Sequence, residues 1–260
     1  MAPINFHKYQ GAGNDFIVID DRNGDFDTQD VALAKRLCDR RYGIGADGLM
    51  LLQEQPGYDF RMVYFNADGR EGSMCGNGGR CMVAFAQQQG LVADKTAFLA
   101  VDGEHRAEIN AQGNWVCLQM ADVATIGRDG KAYVLDTNSP HYVKLVEGLA
   151  DFPVVQQGRD IRNSAAYRAE GINVNFVEPK AAGYFVRTYE RGVEDETLAC
   201  GTGATAVALA MAMHYGHEGS QQTPIRVLGG DLVIKFHKAG DTFTDVSLEG
   251  PATFVFSGEF

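Results

Sequence analysis

The pattern C-G-x-G occurs twice in this 260-residue chain, as Cys75-Gly76-Asn77-Gly78 and Cys200-Gly201-Thr202-Gly203. A glutamate stands four residues ahead of each cysteine (Glu71, Glu196), and an apolar run follows each motif. The surroundings repeat as well. A strand-like run ends near Asn66, nine residues before the first cysteine, and another ends near Glu190, ten before the second. A hairpin glycine falls 28 residues after the first (Gly103) and 30 after the second (Gly230). Strand, loop, cysteine-headed helix and hairpin in register within two residues describe a duplicated unit. The expected organisation is an N-terminal half, residues 1–122, and a C-terminal half, residues 123–260, whose last strand is free to pack back on the first half. The boundary falls in the segment Ala121-Asp122-Val123-Ala124-Thr125-Ile126-Gly127-Arg128-Asp129-Gly130.

Local patterns fill in the unit. Residues 4–9 and 16–20 read as strands around the turn Gly11-Ala12-Gly13-Asn14-Asp15. Val31, Leu33, Ala34, Leu37 and Cys38 recur at helical spacing behind Asp30, a suitable N-cap. Leu49–Gln53 and Phe60–Phe65 are strand-like, rich in apolar, branched and aromatic residues. The first cysteine helix runs to Gly90, a C′ glycine. Residues 96–120 form hairpin strands with turns at Asp102-Gly103 and Gln112-Gly113. In the second half, Tyr184–Tyr189 precedes the motif and Ala204–His214 is a strongly apolar helix ending at Gly216. Runs 225–228, 232–236, 245–248 and 253–256 read as strands. The stretch Gly43-Ile44-Gly45-Ala46-Asp47-Gly48 spells G-x-G-x-x-G, but it follows a helix and precedes a strand, the reverse of a dinucleotide site. It reads as a glycine turn.

A net charge of −11 argues against a nucleic-acid partner and against an anionic membrane surface. No apolar run approaches the ~20 residues of a membrane span, and the first residues show no signal-peptide pattern, so a cytoplasmic location is the default. Five cysteines without C-x-x-C spacing suggest neither a disulfide framework nor a metal pair. Cys38, Cys81 and Cys117 read as small buried hydrophobes. His214, His217 and Glu218 fall where a helix should end, where histidine is favoured anyway, and no metal is assigned to them.

Cys75 and Cys200 are different. A thiol at a helix N-terminus is pushed toward thiolate by unpaired N–H groups and the macrodipole. The following glycines let backbone approach a ligand, and the free N–H groups can hold a carboxylate. Two such helix starts on one substrate suit proton exchange at the carbon beside its carboxylate. One thiolate abstracts the proton, the other thiol returns one to the opposite face, and the helix termini stabilise the developing charge. Such chemistry needs no cofactor. A single C-G-x-G would be read as a tight turn with a packed cysteine; two in register, in a polar glycine-rich turn, favour the chemical reading. A thiol-redox or binding protein on the same duplicated scaffold, needing only one cysteine or a permanent bridge, is the rival of another class.

The segments Lys8–Phe16, Phe65–Gly69, Met74–Arg80, Tyr189–Gly192 and Ala199–Gly203 together resemble the diaminopimelate epimerase family, nearly end to end. The resemblance implies an α/β (α+β) fold of two pseudo-symmetric domains, each a curved, mostly antiparallel sheet wrapped around a central helix, with the site in the cleft between them. It implies an isomerase that interconverts LL- and meso-diaminopimelate without pyridoxal phosphate or metal, on the route to lysine and peptidoglycan. Carried over by position, Cys75 and Cys200 match the base and acid thiols, with Glu190 and His141 tuning them. Gly76, Asn77, Gly201 and Thr202 match the grip on the α-carboxylate, and Asn14, Asn66, Asn173 and Arg191 match further substrate-binding positions. A related racemase of another amino acid would keep both cysteines and change the distal pocket. A small amino-acid substrate is the expected partner, and exposed hairpins leave a homodimer open. Two positions depart from the family: Gly48 replaces a glutamine that touches substrate, and Ser139 replaces the asparagine of an Asn-Pro-His segment.

Overall fold

The computed structural model describes residues 3–72 and 74–260; Met1, Ala2 and Ser73, the last of them two residues before Cys75, lie outside the described residues. The chain forms two units. One comprises Met1–Leu118 with Gly250–Phe260, the other Gln119–Glu249.

The first unit opens with β1 (Asn5–Gly11) and β2 (Asn14–Asp20), a hairpin joined by two residues. Ala12 and Gly13 both take positive φ, 52° and 92°, which matches the right-handed twist of paired strands. Helix α1 (Val31–Cys38) is capped by the Asp30 carboxylate, which accepts from Leu33 N at 2.9 Å, and carries Lys35 and Arg36 in its last turn. It ends at Cys38 and buries Ala34, Leu37 and Cys38. Strands β3 (Gly48–Gln53) and β4 (Phe60–Asn66) follow, then α2 (Gly76–Gln88), β5 (Lys95–Ala100), β6 (Gly103–Ile109) and β7 (Trp115–Gln119). The glycine-rich stretch 43–48 is a turn leading into β3. Gly90, with φ 74°, follows the end of α2.

The second unit holds β8 (Gly127–Asp129), β9 (Ala132–Asp136), β10 (Pro140–Leu145), α3 (Val154–Arg162), β11 (Asn173–Lys180) and β12 (Gly183–Glu190). Next come β13 (Asp195–Thr197), α4 (Gly201–Tyr215), β14 (Gly219–Val227), β15 (Gly230–Ala239) and β16 (Thr242–Pro251). The final strand, β17 (Thr253–Glu259), pairs antiparallel with β1. Sequence patterns mark no element between residues 140 and 180, where β10, α3 and β11 lie.

The two units repeat strand for strand. In the first, the order β17-β1-β2-β3-β4-β5-β6-β7 has parallel pairs at β2–β3 and β4–β5 and antiparallel pairs elsewhere. In the second, β8-β9-β10-β11-β12-β14-β15-β16 has parallel pairs at β10–β11 and β12–β14 and is otherwise antiparallel. Even the short β12–β13 ladder has its counterpart. Tyr189 faces Glu196, and the isolated bridge Phe65–Glu71 stands at the same place in the first unit.

Each sheet has a helix on either face. Phe6, Ile17, Ile19, Leu49, Leu51, Val63 and Phe65 pack with Ala34 and Leu37 of α1. Val174, Phe176, Ile172 and Tyr189 pack with Val154 of α3. On the opposite faces, α2 touches β1, β2, β3, β6 and β17, and α4 touches β9 to β12, β14 and β15. Strands from across each sheet therefore meet one helix, as a sheet curved around it requires. Residues Ala204–Ala212 are buried on every side of α4, the mark of a central helix. The mostly antiparallel α+β architecture expected for each half is the one observed. Among the described residues no helix is long and apolar enough to cross a membrane.

Candidate active site

Cys75 and Cys200 are the N-caps of α2 and α4, in nearly the same backbone conformation: φ −104°, ψ 123° and φ −119°, ψ 110°. Neither side chain makes a capping bond to its helix. Serine, threonine, aspartate or asparagine would normally occupy that position and satisfy a helical N–H. A thiol is a weak acceptor for helical N–H groups, and a helix start favours an anionic acceptor from outside the helix.

In the first unit, Cys75 is half-buried and Gly76 and Asn77 are buried. The Asn77 side chain donates to Asn14 Oδ1 and accepts from Arg80 Nη2 at 2.9 Å. Asn14 in turn donates to Asp47 Oδ2 at 3.0 Å. The start of β2 is pinned by an ion cluster in which Asp15 meets Lys8 (2.8 Å) and Arg40 (2.6 Å), and Arg40 also meets Asp47 (2.7 Å). Burial pushes the Asp15 carboxyl up, but the bonds to Arg40 and Lys8 outweigh it and hold it at about 2. Asn66 ends β4 with its side chain exposed and its amide nitrogen over Gly72.

Arg80 is the feature the sequence reading left without a role. It is fully buried on α2 and donates to Gly76 O, Asn77 Oδ1 and Pro251 O. No carboxylate lies within ion-pair distance of it among the described residues, and Cys75 lies within its electrostatic reach. Burial lowers its proton affinity, yet a guanidinium stays charged. Burial pushes the thiols of Cys38 and Cys81 up to about 12, so both stay protonated packing groups, whereas Cys117 is half-buried in β7.

In the second unit, Cys200 is 7 % exposed, with Thr202 Oγ1 3.5 Å from its sulfur. Thr137 Oγ1 donates to Thr202 O at 3.0 Å. A Cβ on Gly203 would stand 2.4 Å from Asn175 Oδ1 and 3.2 Å from the Cys200 sulfur, so only glycine fits. Asn173, at the start of β11, donates to Ser139 Oγ (2.8 Å) and Pro140 O (3.1 Å) and accepts from Arg191 N (2.9 Å). Ser139 thus takes part in the hydrogen-bond frame. Glu190 accepts from Thr197 Oγ1 at 2.8 Å, and the exposed Arg191 guanidinium donates to Glu170 O at 3.2 Å.

His141 is fully buried on β10. Asn175 Nδ2 lies 3.1 Å from His141 Nδ1 and 3.1 Å from Tyr142 O, while Thr188 Oγ1 donates to Asn175 Oδ1. The Tyr142 carbonyl can only accept, so the Asn175 NH2 must point this way. His141 Nδ1 is then an acceptor and the proton sits on Nε2, a buried atom with no hydrogen-bond partner among the described residues. Burial, aided by the Arg191 charge, lowers the imidazole to about 3, so it is neutral at physiological pH. Asn175 lies two residues beyond Asn173 on the same face of β11, a strand-period signal the sequence contained.

The comparisons now bear on identity. A family model described as diaminopimelate epimerase matches residues 6–126 and 133–255. A diaminopimelate epimerase of Flavobacterium psychrophilum is 48% identical over 254 residues, covering 97% of this chain and 98% of its own. That of Chlorobaculum tepidum is 42% identical, covering 95% and 98%. Among solved structures, a phenazine biosynthesis protein of the PhzF family from Bacillus anthracis superposes with TM-score 0.76 at 14% identity over 100% of this chain and 99% of that one. A probable proline racemase from Agrobacterium radiobacter gives 0.72 at 15%, over 99% and 92%. These likenesses show the fold that the chain shares with both structures. The chain belongs to the diaminopimelate epimerase family, and it is an isomerase.

Proposed function

We propose that the chain interconverts LL-2,6-diaminopimelate and meso-2,6-diaminopimelate by proton exchange at one α-carbon, with Cys75 and Cys200 as the two proton carriers. The carrying observation is the matched pair of cysteine N-caps, in which each thiol replaces the residue that would normally occupy a helix start. Inversion needs a base on one face of the carbon and an acid on the other. Helix N-termini favour thiolate at both cysteines, and the pair holds one proton in the working state, so their titrations are coupled. The N–H groups at Gly76, Asn77, Gly201 and Thr202 hold the α-carboxylate and stabilise the charge that grows there.

Asn14, Asn66, Asn173 and Arg191 serve the remaining amino and carboxylate groups, Arg191 as a forked donor to carboxylate. Glu190 and His141 tune the thiols. The tautomer argued above supports His141 as an N–H donor rather than a base. No cofactor enters the scheme. The product belongs to lysine and peptidoglycan building, which goes with a cytoplasmic location. The exposed Phe254, Val255 and Phe256 of β17 support a homodimer through that strand, testable by sedimentation of the intact chain. Incubating reduced protein with LL-diaminopimelate in D2O tests the main reading. Meso product carrying α-deuterium supports it; exchange with another amino acid but not with this one would replace it with a related racemase.

A further inference from the structure

Gly48 and Tyr64 form a pair that the family reading does not assign. The duplication equates Gly48 with Asn173. Phe16 pairs with Gly48 across the parallel β2–β3 ladder as His141 pairs with Asn173 across β10–β11. In the next ladder, Leu49 faces Phe65 as Val174 faces Tyr189. The second unit therefore places an amide side chain where the first has only hydrogen. That space is filled by a neighbour. A Cβ on Gly48 would stand 2.4 Å from Tyr64 Cε2 and 2.8 Å from its Oη, contacts no real Cβ makes. On its other side the ring lies against Gly72, where a Cβ would be 2.9 Å from Cδ1 and Cε1. Two glycines thus admit one phenol.

The ring's direction matters. Tyr64 faces Met50 in the ladder, yet its hydroxyl lies over Gly48, so it leans along the sheet toward Asn66. Tyr64 and Asn66 are two apart on β4 and share a face, which is the α2 face, since Met50 and Met62 there approach Gly78 in the first helical turn. Asn14 and its partner Asp47 adjoin the same corner. The hydroxyl therefore reaches the end of the first unit where the candidate substrate-binding groups gather.

We infer that Tyr64 is a substrate-binding, specificity-determining residue whose phenol donates to a carboxylate oxygen of the amino-acid substrate, standing in the first unit for the amide that Asn173 supplies in the second. The inference rests on the diaminopimelate reading. The partially positive start of α2, on the same face of the sheet, favours an anion over an ammonium.

The test is steady-state kinetics on LL-diaminopimelate with wild type, Tyr64→Phe, Gly48→Ala and the double variant, each checked by circular dichroism. Tyr64→Phe keeps the ring and loses only the hydroxyl. KM is expected to rise about tenfold or more with kcat within about twofold, as loss of a hydrogen bond to a charged group made equally in ground and transition states requires. Gly48→Ala, which must expel the ring, is expected to raise KM similarly, and the double variant to be no worse than Gly48→Ala. Wild-type turnover with Tyr64→Phe kinetically unchanged, or with independent effects in the double variant, would overturn the inference and leave the family reading standing. A wild type inert toward diaminopimelate would sink that reading and the inference together.

Discussion

The starts of α2 and α4 share a backbone and differ in their electrostatics. Five residues past Cys75 stands Arg80, a buried cation whose charge Cys75 feels; five past Cys200 stands Thr205, whose hydroxyl only returns to Gly201 O at 3.0 Å. At the first helix start, Asn77 reaches charged groups only through Asn14, whose amide donates to Asp47 in the ion cluster of Arg40, Asp15 and Lys8. At the second, Thr137 donates to Thr202 O, and Asn175, beside Gly203, bonds Thr188 and the uncharged His141. Duplication kept the strand order and the cysteine cap, while the surroundings diverged. The two cysteine caps match in backbone conformation, and a buried arginine stands five residues behind only the first.

The largest expected effect is removal of either thiol. Cys75→Ala and Cys200→Ala should each lower turnover by a factor of about 10² to 10⁴ in a coupled assay, the usual worth of a positioned acid or base. Full activity in either variant would end the two-thiol account. Next, Arg80→Met should slow iodoacetamide alkylation of Cys75 roughly tenfold at neutral pH, as loss of a nearby cation raises the thiol's proton affinity. Alkylation of Cys200 should not change. Equal slowing at both cysteines, read by peptide mass spectrometry, would erase the electrostatic distinction.

His141 sharpens the comparison through pH. Its folded value, about 3, lies below the ordinary 6.5, so the unfolded chain binds the extra proton first. Its contribution to stability is complete above pH 6.5 and is lost as pH falls from 6.5 toward 3, by up to about 1.4 kcal/mol per unit. Urea midpoints should show a shallower decline in His141→Gln than in wild type across that window; parallel curves would mean the ring titrates normally. The smallest effect is expected for Thr205→Val, within about 0.5 kcal/mol by urea unfolding, because a hydroxyl bonded back to the i−4 carbonyl adds little to a helix.

Much of this frame was legible because it is local. The Asp30 cap, the Ala12-Gly13 turn and the glycines closing α2 and α4 are near-neighbour chemistry. The register of the two motifs exposed the duplication. The stretch from residue 140 to 180 was not legible. Only Val154 and Gly158 of α3 are buried, too thin a stripe to stand out, and β10 and β11 are recognisable only as copies of β2 and β3. Arg80 was quoted in a motif without a role because arginine is normally exposed, and burial is a tertiary fact. Gly48 was read as a missing side chain; the register shows a neighbouring ring in its place. Asn175 is marked by its two-residue spacing from Asn173 on β11, but its bonds to His141 and Thr188 join other strands and come only with the fold.

The central claim is that two thiols, one from each unit, exchange the proton. The most direct measurement follows LL-diaminopimelate in D2O at early times, scoring deuterium separately in remaining substrate and in meso product. The account expects deuterium in the product and almost none in the unreacted LL isomer, because the acid that delivers the new proton is not the base that took the old one. Deuterium in recovered LL isomer as fast as in meso product, or meso product that retains its original proton, would contradict it.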